Sequence, residues 1–115
     1  MHELGIANSV YEAVCAEAKH RPGARILKVG MRVGELSGVD PNALSFCFED
    51  IVKDTPFEPL PLEIEFCPRR HRCPGCGHRF AVQDFELACP RCGQQATECI
   101  SGTELELSYL ELEES

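Results

Sequence analysis

The sequence predicts an α+β protein: two helices packed on a three-stranded mixed sheet, with an inserted zinc-ribbon domain. Three observations carry this. Residues 4–66 switch twice between helical and strand-like hydrophobic periods; two near copies of one cysteine turn, "CPGCG" at 73–77 and "CPRCG" at 89–93, stand together; and the alternating segment "GTELELSYLELE" follows them. At 115 residues the chain holds one small domain or a small domain with a satellite, a size at which a metal or disulfides often supplement a modest core.

Leu4 to Lys19 reads as an amphipathic helix. Leu4, Ala7, Tyr11, Val14 and Ala18 recur at spacings of three and four, and Val10 and Cys15 widen the stripe. His20-Arg-Pro-Gly23 ends it. Arg25 to Gly34 alternates as a half-buried strand, with Leu27, Val29, Met31 and Val33 on one side and Lys28, Gly30 and Arg32 on the other. "GELSGVDP" is a loop. Asp40-Pro41 signals a helix start, and the helix runs to about Lys53 with Leu44, Cys47, Phe48 and Ile51 as its stripe. Pro56, Pro59 and Pro61 stiffen the exit, and Leu62, Ile64 and Phe66 alternate with Glu63 and Glu65 as a second strand.

In the last segment Leu105, Leu107 and Tyr109 share a face, and the phase slips at Tyr109-Leu110, as at a bulge or a strand end. Helix is the rival assignment, and the strict alternation favours strand. A helix joins the first two strands, so they run parallel; the last strand is expected antiparallel to the second. The expected organisation is an α/β domain of residues 1–66 with 101–115, and a zinc ribbon of 67–100.

The net charge is −8 and uneven: residues 1–66 carry −5, residues 67–100 carry +2 and residues 101–115 carry −5. An acidic chain repels phosphate backbones, which argues against nucleic acid as a partner, although Arg69, Arg70 and Arg72 form one basic cluster. No basic-then-apolar leader and no apolar run near membrane-spanning length appears, so the expectation is a cytoplasmic protein whose thiols stay reduced. No GxxxxGK phosphate loop and no nucleophile–base motif appears, and the chain is not read as an enzyme.

There are eight cysteines. Cys73, Cys76, Cys89 and Cys92 form C-x2-C, a gap of twelve, then C-x2-C. Each pair sets two sulfurs on a tight turn whose following glycine tolerates positive φ, and two such turns complete a tetrahedral sulfur site for structural zinc. A rubredoxin-like iron centre and a dithiol redox pair are the rivals; the first usually needs a longer gap, and the second leaves one pair idle. Cys67 and Cys99 flank the module, Cys15 and Cys47 fall on helix stripes, and His71 and His78 border the turns in surface or supporting roles.

The start, "MHE", offers different chemistry. The α-amine of Met1, the backbone nitrogen of His2 and its imidazole bind one metal in two fused rings, with Glu3 as a fourth donor. A planar nitrogen and oxygen set suits Ni(II) or Cu(II). A histidine at position 2 also reads as chance, or as the remnant of a tag.

"MHELGIANSVYEAV", "VGELSGVDPNALSFCFED", "CPGCGHRF…CPRCG" and "SGTELELSYLELE" together, in this order along nearly the whole chain, resemble the HypA/HybF family of hydrogenase nickel-incorporation proteins. The resemblance implies a nickel site at Met1, His2 and Glu3 on an α/β domain, and structural zinc at Cys73, Cys76, Cys89 and Cys92. Asp40 matches a position near the nickel site, and its local reading is a helix N-cap. His78 matches a position coupling the two metal sites, while the family's second such histidine is Gly93 here. The implied function is a nickel metallochaperone that delivers Ni(II) for [NiFe]-hydrogenase maturation. Its implied partners are a nickel-delivery GTPase and the hydrogenase large-subunit precursor, and it is expected as a monomer or weak homodimer. The alternatives are a zinc-ribbon interaction adaptor without nickel cargo and an iron–sulfur electron carrier.

Overall fold

Glu3 in the first turn and Lys19 and His20 in the last complement the helix dipole, and helix α1 occupies Glu3–His20. The computed structural model describes residues 3–114. Ala7, Val10 and Val14 are the buried stripe of α1, whereas Leu4, expected on that stripe, is 54 % exposed. Its position in the first turn lies beyond the edge of the core. Gly23, at φ 88°, turns the chain into strand β1, Arg25–Gly34.

A short 3-10 turn, Glu35–Ser37, precedes helix α2, Pro41–Val52. Asp40 caps α2: its carboxylate accepts the N–H groups of Asn42 at 2.9 Å and Ala43 at 3.4 Å, satisfying donors the first turn leaves free. Leu44, Phe48 and Val52 are the buried face of α2, with Cys47 and Ile51 packed at its margin. In the Pro-rich exit Phe57 meets Tyr11 of α1 edge-to-face at 5.9 Å.

Strands β2 (Leu62–Cys67) and β6 (Leu105–Glu113) flank β1 in the order β2-β1-β6. β1 and β2 are parallel, as a strand–helix–strand unit requires, and β6 is antiparallel to β1. The last strand therefore runs in the expected direction, but its partner is the first strand. β1 buries Val29, Met31 and Val33 at 3 % exposure or less, so it holds the centre and offers β6 its free edge.

Two bulges change the side-chain phase. Ile26 pairs with Leu112 and Lys28 with Glu111, so Leu27 is an extra residue; Ile26 takes the buried place expected of Leu27. Gly30 pairs with Tyr109 and Met31 with Leu107, so Ser108 is extra, one residue before the slip read from sequence. Tyr109 consequently leaves the face of Leu105 and Leu107. Its ring lies over Gly30, where any Cβ would collide with it, and its hydroxyl donates to Glu63 at 2.8 Å.

The face of the sheet opposite the helices is charged. Arg32 stands among Glu65, Glu104 and Glu106, at 3.8, 3.7 and 2.9 Å, and Lys28 pairs with Glu63 at 3.3 Å. These exposed pairs contribute little to stability and keep the face solvated.

A second sheet, in the order β4-β3-β5, is built from β3 (Arg70–Arg72), β4 (Arg79–Ala81) and β5 (Glu98–Ser101). Among the described residues its buried apolar cluster is Cys73, Phe80 and Cys89, with Val82 against it. Two backbone hydrogen bonds and one to a side chain tie the junction of the two sheets: the N–H of Gly34 donates to Glu104 O at 2.6 Å, that of Leu36 to Gly102 O at 2.7 Å, and that of Arg69 to the Glu35 carboxylate at 3.0 Å.

Gly34 presses on backbone here. A Cβ at this position would strike the carbonyl of Gly102, which cannot swing aside as a side chain does. Gly34→Ala should therefore cost about 1–3 kcal/mol of stability, measured by chemical denaturation; an unchanged midpoint would mean that the two strands part freely at this point.

Candidate metal centre

The two cysteine turns are built alike. In each, the glycine N–H bonds the carbonyl of the first cysteine: Gly77 to Cys73 at 2.7 Å and Gly93 to Cys89 at 2.8 Å. In each, the first cysteine's N–H bonds the residue after that glycine: Cys73 to His78 O and Cys89 to Gln94 O, both at 2.9 Å. Gly77 and Gly93 hold φ 78° and 81°, left-handed values that favour glycine. The turns thus point their sulfurs at one another. All four sulfurs of Cys73, Cys76, Cys89 and Cys92 lie within 4.8 Å of each other, with Cys73–Cys92 at 3.5 Å and Cys76–Cys89 at 3.7 Å. Four sulfurs ligating one central ion stand about 3.8 Å apart when each is about 2.3 Å from it, so the donor set fits a tetrahedral thiolate site. Cys73 and Cys89 are buried and Cys76 and Cys92 exposed, placing the cluster at the module's edge.

The thiols differ in acidity. Burial opposes ionisation of Cys89, yet N–H groups of Cys92 and Arg91 and the neighbouring thiols stabilise its thiolate and bring it down to about 6. At Cys92 the Gln94 N–H favours the thiolate, but hydrogen bonding with Cys73 and burial outweigh it and push the thiol up to about 12. One thiolate formed early makes the last one costly, and a divalent ion removes that conflict.

Supporting residues surround the cluster. The Gln94 side-chain oxygen accepts from the Cys73 thiol at 3.6 Å and lies where a Cβ on Gly75 would stand. His78 stacks on Phe80 at 6.0 Å. His71 is 3 % exposed. Its Nε2 accepts from Arg69 Nε at 3.1 Å, so Nδ1 carries the proton and donates to Thr97 Oγ1 at 2.9 Å; the Thr97 hydroxyl donates to Leu87 O at 2.6 Å. Burial and Arg69 hold the His71 ring neutral, lowering its pKa. Gln94 carried one sequence signal: it occupies in the second turn the place of His78 in the first. Thr97 carried none.

Among the other cysteines, Cys67 is buried, Cys99 is exposed, and Cys15 and Cys47 are half-buried. Of the residues at the start of the chain, Met1 and His2 lie outside the described residues. Glu3 does not, and its carboxylate accepts the backbone N–H of Asp40 at 3.1 Å. The first turn of α1 is thereby tied to the cap of α2.

A helix-covered sheet carrying a four-thiol ribbon defines a small metal-binding protein, and comparison with known proteins sharpens the class to a metallochaperone. Residues 1–112 match the family model described as "Hydrogenase/urease nickel incorporation, metallochaperone, hypA". The chain belongs to the HypA family, whose members are maturation factors and not enzymes. It is 42 % identical over 113 residues to the hydrogenase maturation factor HypA of Geobacter metallireducens and 37 % identical to that of Chlorobaculum parvum; each match covers 98 % of this chain and 100 % of the relative. In fold it resembles the solution structure of the Ni metallochaperone HypA from Helicobacter pylori, with TM-score 0.63 and 23 % identity over 100 % of both chains. A second solution structure of a HypA protein gives TM-score 0.70 at 24 % identity, covering 100 % of this chain and 98 % of that one. Among the described residues no helix is long and apolar enough to cross a membrane.

Metal binding by the four cysteines must expel their remaining protons. Cys89 contributes a proton only where it is still protonated, below about pH 6, whereas Cys92 contributes one throughout the neutral range. The protons released per bound ion should therefore rise by about one between pH 7.5 and pH 5, read by calorimetry in buffers of different ionisation enthalpy. A constant count would contradict the early ionisation of Cys89.

Proposed function

We propose that this chain carries Ni(II) at its N-terminus and hands it on for [NiFe]-hydrogenase maturation, with zinc as a structural ion in the ribbon. The cargo donors are the Met1 amine, the His2 backbone and ring nitrogens and Glu3, with Asp40 beside them. Zinc falls to Cys73, Cys76, Cys89 and Cys92. The observation that carries this reading is the family match over residues 1–112, which takes in the M-H-E segment as well as both cysteine turns. The Glu3–Asp40 hydrogen bond supports it by gathering the two carboxylate residues at one corner of the surface.

The chemistry suits a carrier. A nitrogen and oxygen chelate at an open end of the chain leaves its ion accessible to a receiving thiolate or imidazole, which a closed four-sulfur cage does not. Micromolar affinity, on the order of −8 kcal/mol, is loose enough for hand-over. The ribbon's few buried residues need a staple, and structural zinc supplies on the order of 10 kcal/mol of folding free energy. We assign residues 1–66 with 101–115 to the nickel-binding unit and 67–100 to the zinc ribbon. The partners are a GTPase that supplies the nucleotide-driven step and the hydrogenase large-subunit precursor, met in the cytoplasm by a monomer or weak homodimer. The relatives named above are hydrogenase maturation factors, which favours hydrogenase as the receiver.

Nickel titration of the tagless protein tests the assignment beside His2→Ala and a form with one added N-terminal residue. Both changes should abolish micromolar binding, because each breaks the fused chelate; equal affinity in the three proteins would leave a zinc-stapled adaptor. Protons compete for an ordinary α-amine of pKa about 8 and an imidazole of about 6.5. Binding should accordingly be full near pH 8 and weaken as the pH falls below 6, and unchanged affinity there would exclude this donor set.

A further inference from the structure

The two cysteine turns are alike within themselves but are held differently from outside. The first, residues 73–77, joins two paired strands: β3 ends at Arg72, β4 starts at Arg79, and the pairs Arg72–Arg79 and His71–Phe80 close the ladder directly beneath it. The second, residues 89–93, has no strand on either side. Residues 82–88 lead into it outside any helix or strand, and β5 begins only at Glu98. Burial does not fix the approach either, because Gln83, Asp84, Phe85, Glu86 and Leu87 are all exposed.

Among the described residues, one hydrogen bond ties residues 83–88 to the rest of the ribbon: the Thr97 hydroxyl donates to Leu87 O at 2.6 Å, two residues before Cys89. Thr97 is half-buried, directly precedes β5, and accepts the Nδ1–H of His71 at 2.9 Å. His71 stands in the central strand of the ribbon sheet, 3 % exposed, with its ring tilted against Phe80 at 6.2 Å. Arg69 Nε donates to the other ring nitrogen at 3.1 Å. The donors thus run one way, from Arg69 through His71 and Thr97 to Leu87. The opposite His71 tautomer would set two N–H groups against each other and draw the Thr97 proton away from Leu87 O.

We propose that His71 and Thr97 are positioning residues for the metal centre: through Leu87 O they latch the second cysteine turn in place, and the opening of that turn governs how fast a bound ion is released. This rests on the assignment of zinc to Cys73, Cys76, Cys89 and Cys92 made above. A thiolate must leave the tetrahedron before another ligand replaces it, and the pair that moves at lower cost leads. Moving Cys73 and Cys76 disturbs a hairpin ladder, whereas moving Cys89 and Cys92 breaks the tie made by one hydroxyl. Residues behind the ligands thereby set the behaviour of the ion without touching it.

The test follows zinc transfer from full-length, zinc-loaded protein to excess chelator. Thr97→Val keeps the shape of the side chain and removes the hydroxyl; Thr97→Ser keeps the hydroxyl. Thr97→Val should release zinc about ten-fold faster, and Thr97→Ser should stay within about three-fold of the wild type. Amide exchange in the zinc-loaded proteins, read by NMR, separates a latch from general loosening. Thr97→Val should speed exchange of the Cys89 and Gly93 N–H groups by about ten-fold and leave those of Cys73 and Gly77 within about two-fold. His71→Phe fills the buried place without the donor and acts through the same tie, so adding it to Thr97→Val should speed release little further. The threonine pair decides the matter even where His71→Phe does not fold. Nickel affinity should stay unchanged in every variant. The latch is overturned if Thr97→Val releases zinc at the wild-type rate, if serine fails to restore that rate, or if exchange rises alike in both turns. Full additivity of His71→Phe with Thr97→Val overturns the part given to His71. Wild-type protein that holds no ion at the four cysteines overturns the zinc assignment and the latch with it, whereas zinc bound in full with release indifferent to Thr97 overturns the latch alone.

Discussion

Four thiols within 4.8 Å of one another cannot all ionise unless a cation stands among them, and the second sheet is organised around that constraint. Its three strands have three or four residues each, too few to bury an independent core. Cys73 and Cys89, nominally ligands, are two of the three buried residues in its apolar cluster. The same side chains thus form the core and stand as candidate donors, so that loss of an ion held there would also be a loss of fold. The matched hydrogen bonds of the two turns reduce the reorganisation needed when an ion arrives.

The α/β layer depends on the ribbon through covalent order as well as contact. β6 reaches its place beside β1 only after the chain has passed through the ribbon, and the crossing is secured by Gly34, Leu36, Gly102 and Glu104. Glu104 works twice here. Its carbonyl accepts the Gly34 N–H, and its carboxylate accepts its own backbone N–H and that of Gly102, the latter at 2.7 Å, which together hold its pKa below the usual carboxylate range. Its negative charge is thus bound into the junction and faces Arg32 on the open side of the sheet.

Much of this was legible because the signals are local. Asp40-Pro41 and His20-Arg-Pro-Gly23 mark helix ends through backbone chemistry that operates within a few residues, and the structure places the helix boundaries within a residue or two of them. The duplicated cysteine spacing was legible for the same reason. What escaped depends on pairing across distance. Nothing in "RILKV" says that Leu27 is the extra residue, since isoleucine and leucine are both good core residues; the register against Leu112 and Glu111 decides it. Tyr109 changes face because Gly30 leaves room and Glu63 accepts its hydroxyl, two partners on two other strands. His71 was expected in a surface or supporting role and is buried, because Thr97, twenty-six residues on, completes its hydrogen bonding. Glu3 and Asp40, which the family resemblance had already set near each other, are joined by a hydrogen bond spanning thirty-seven residues that no local pattern predicts.

Among the described residues the outer margin of β6 is unpaired, a row of backbone donors and acceptors of the kind that invites a neighbouring molecule to add a strand. Glu111 and Glu113 on this strand are exposed, and Glu106, paired to Arg32, is exposed as well. Two copies aligned edge against edge would set carboxylate against carboxylate at several positions, and like charges facing each other across a ladder repel. The concentration of acid in the last fifteen residues therefore disfavours the addition of a second copy's strand at this edge.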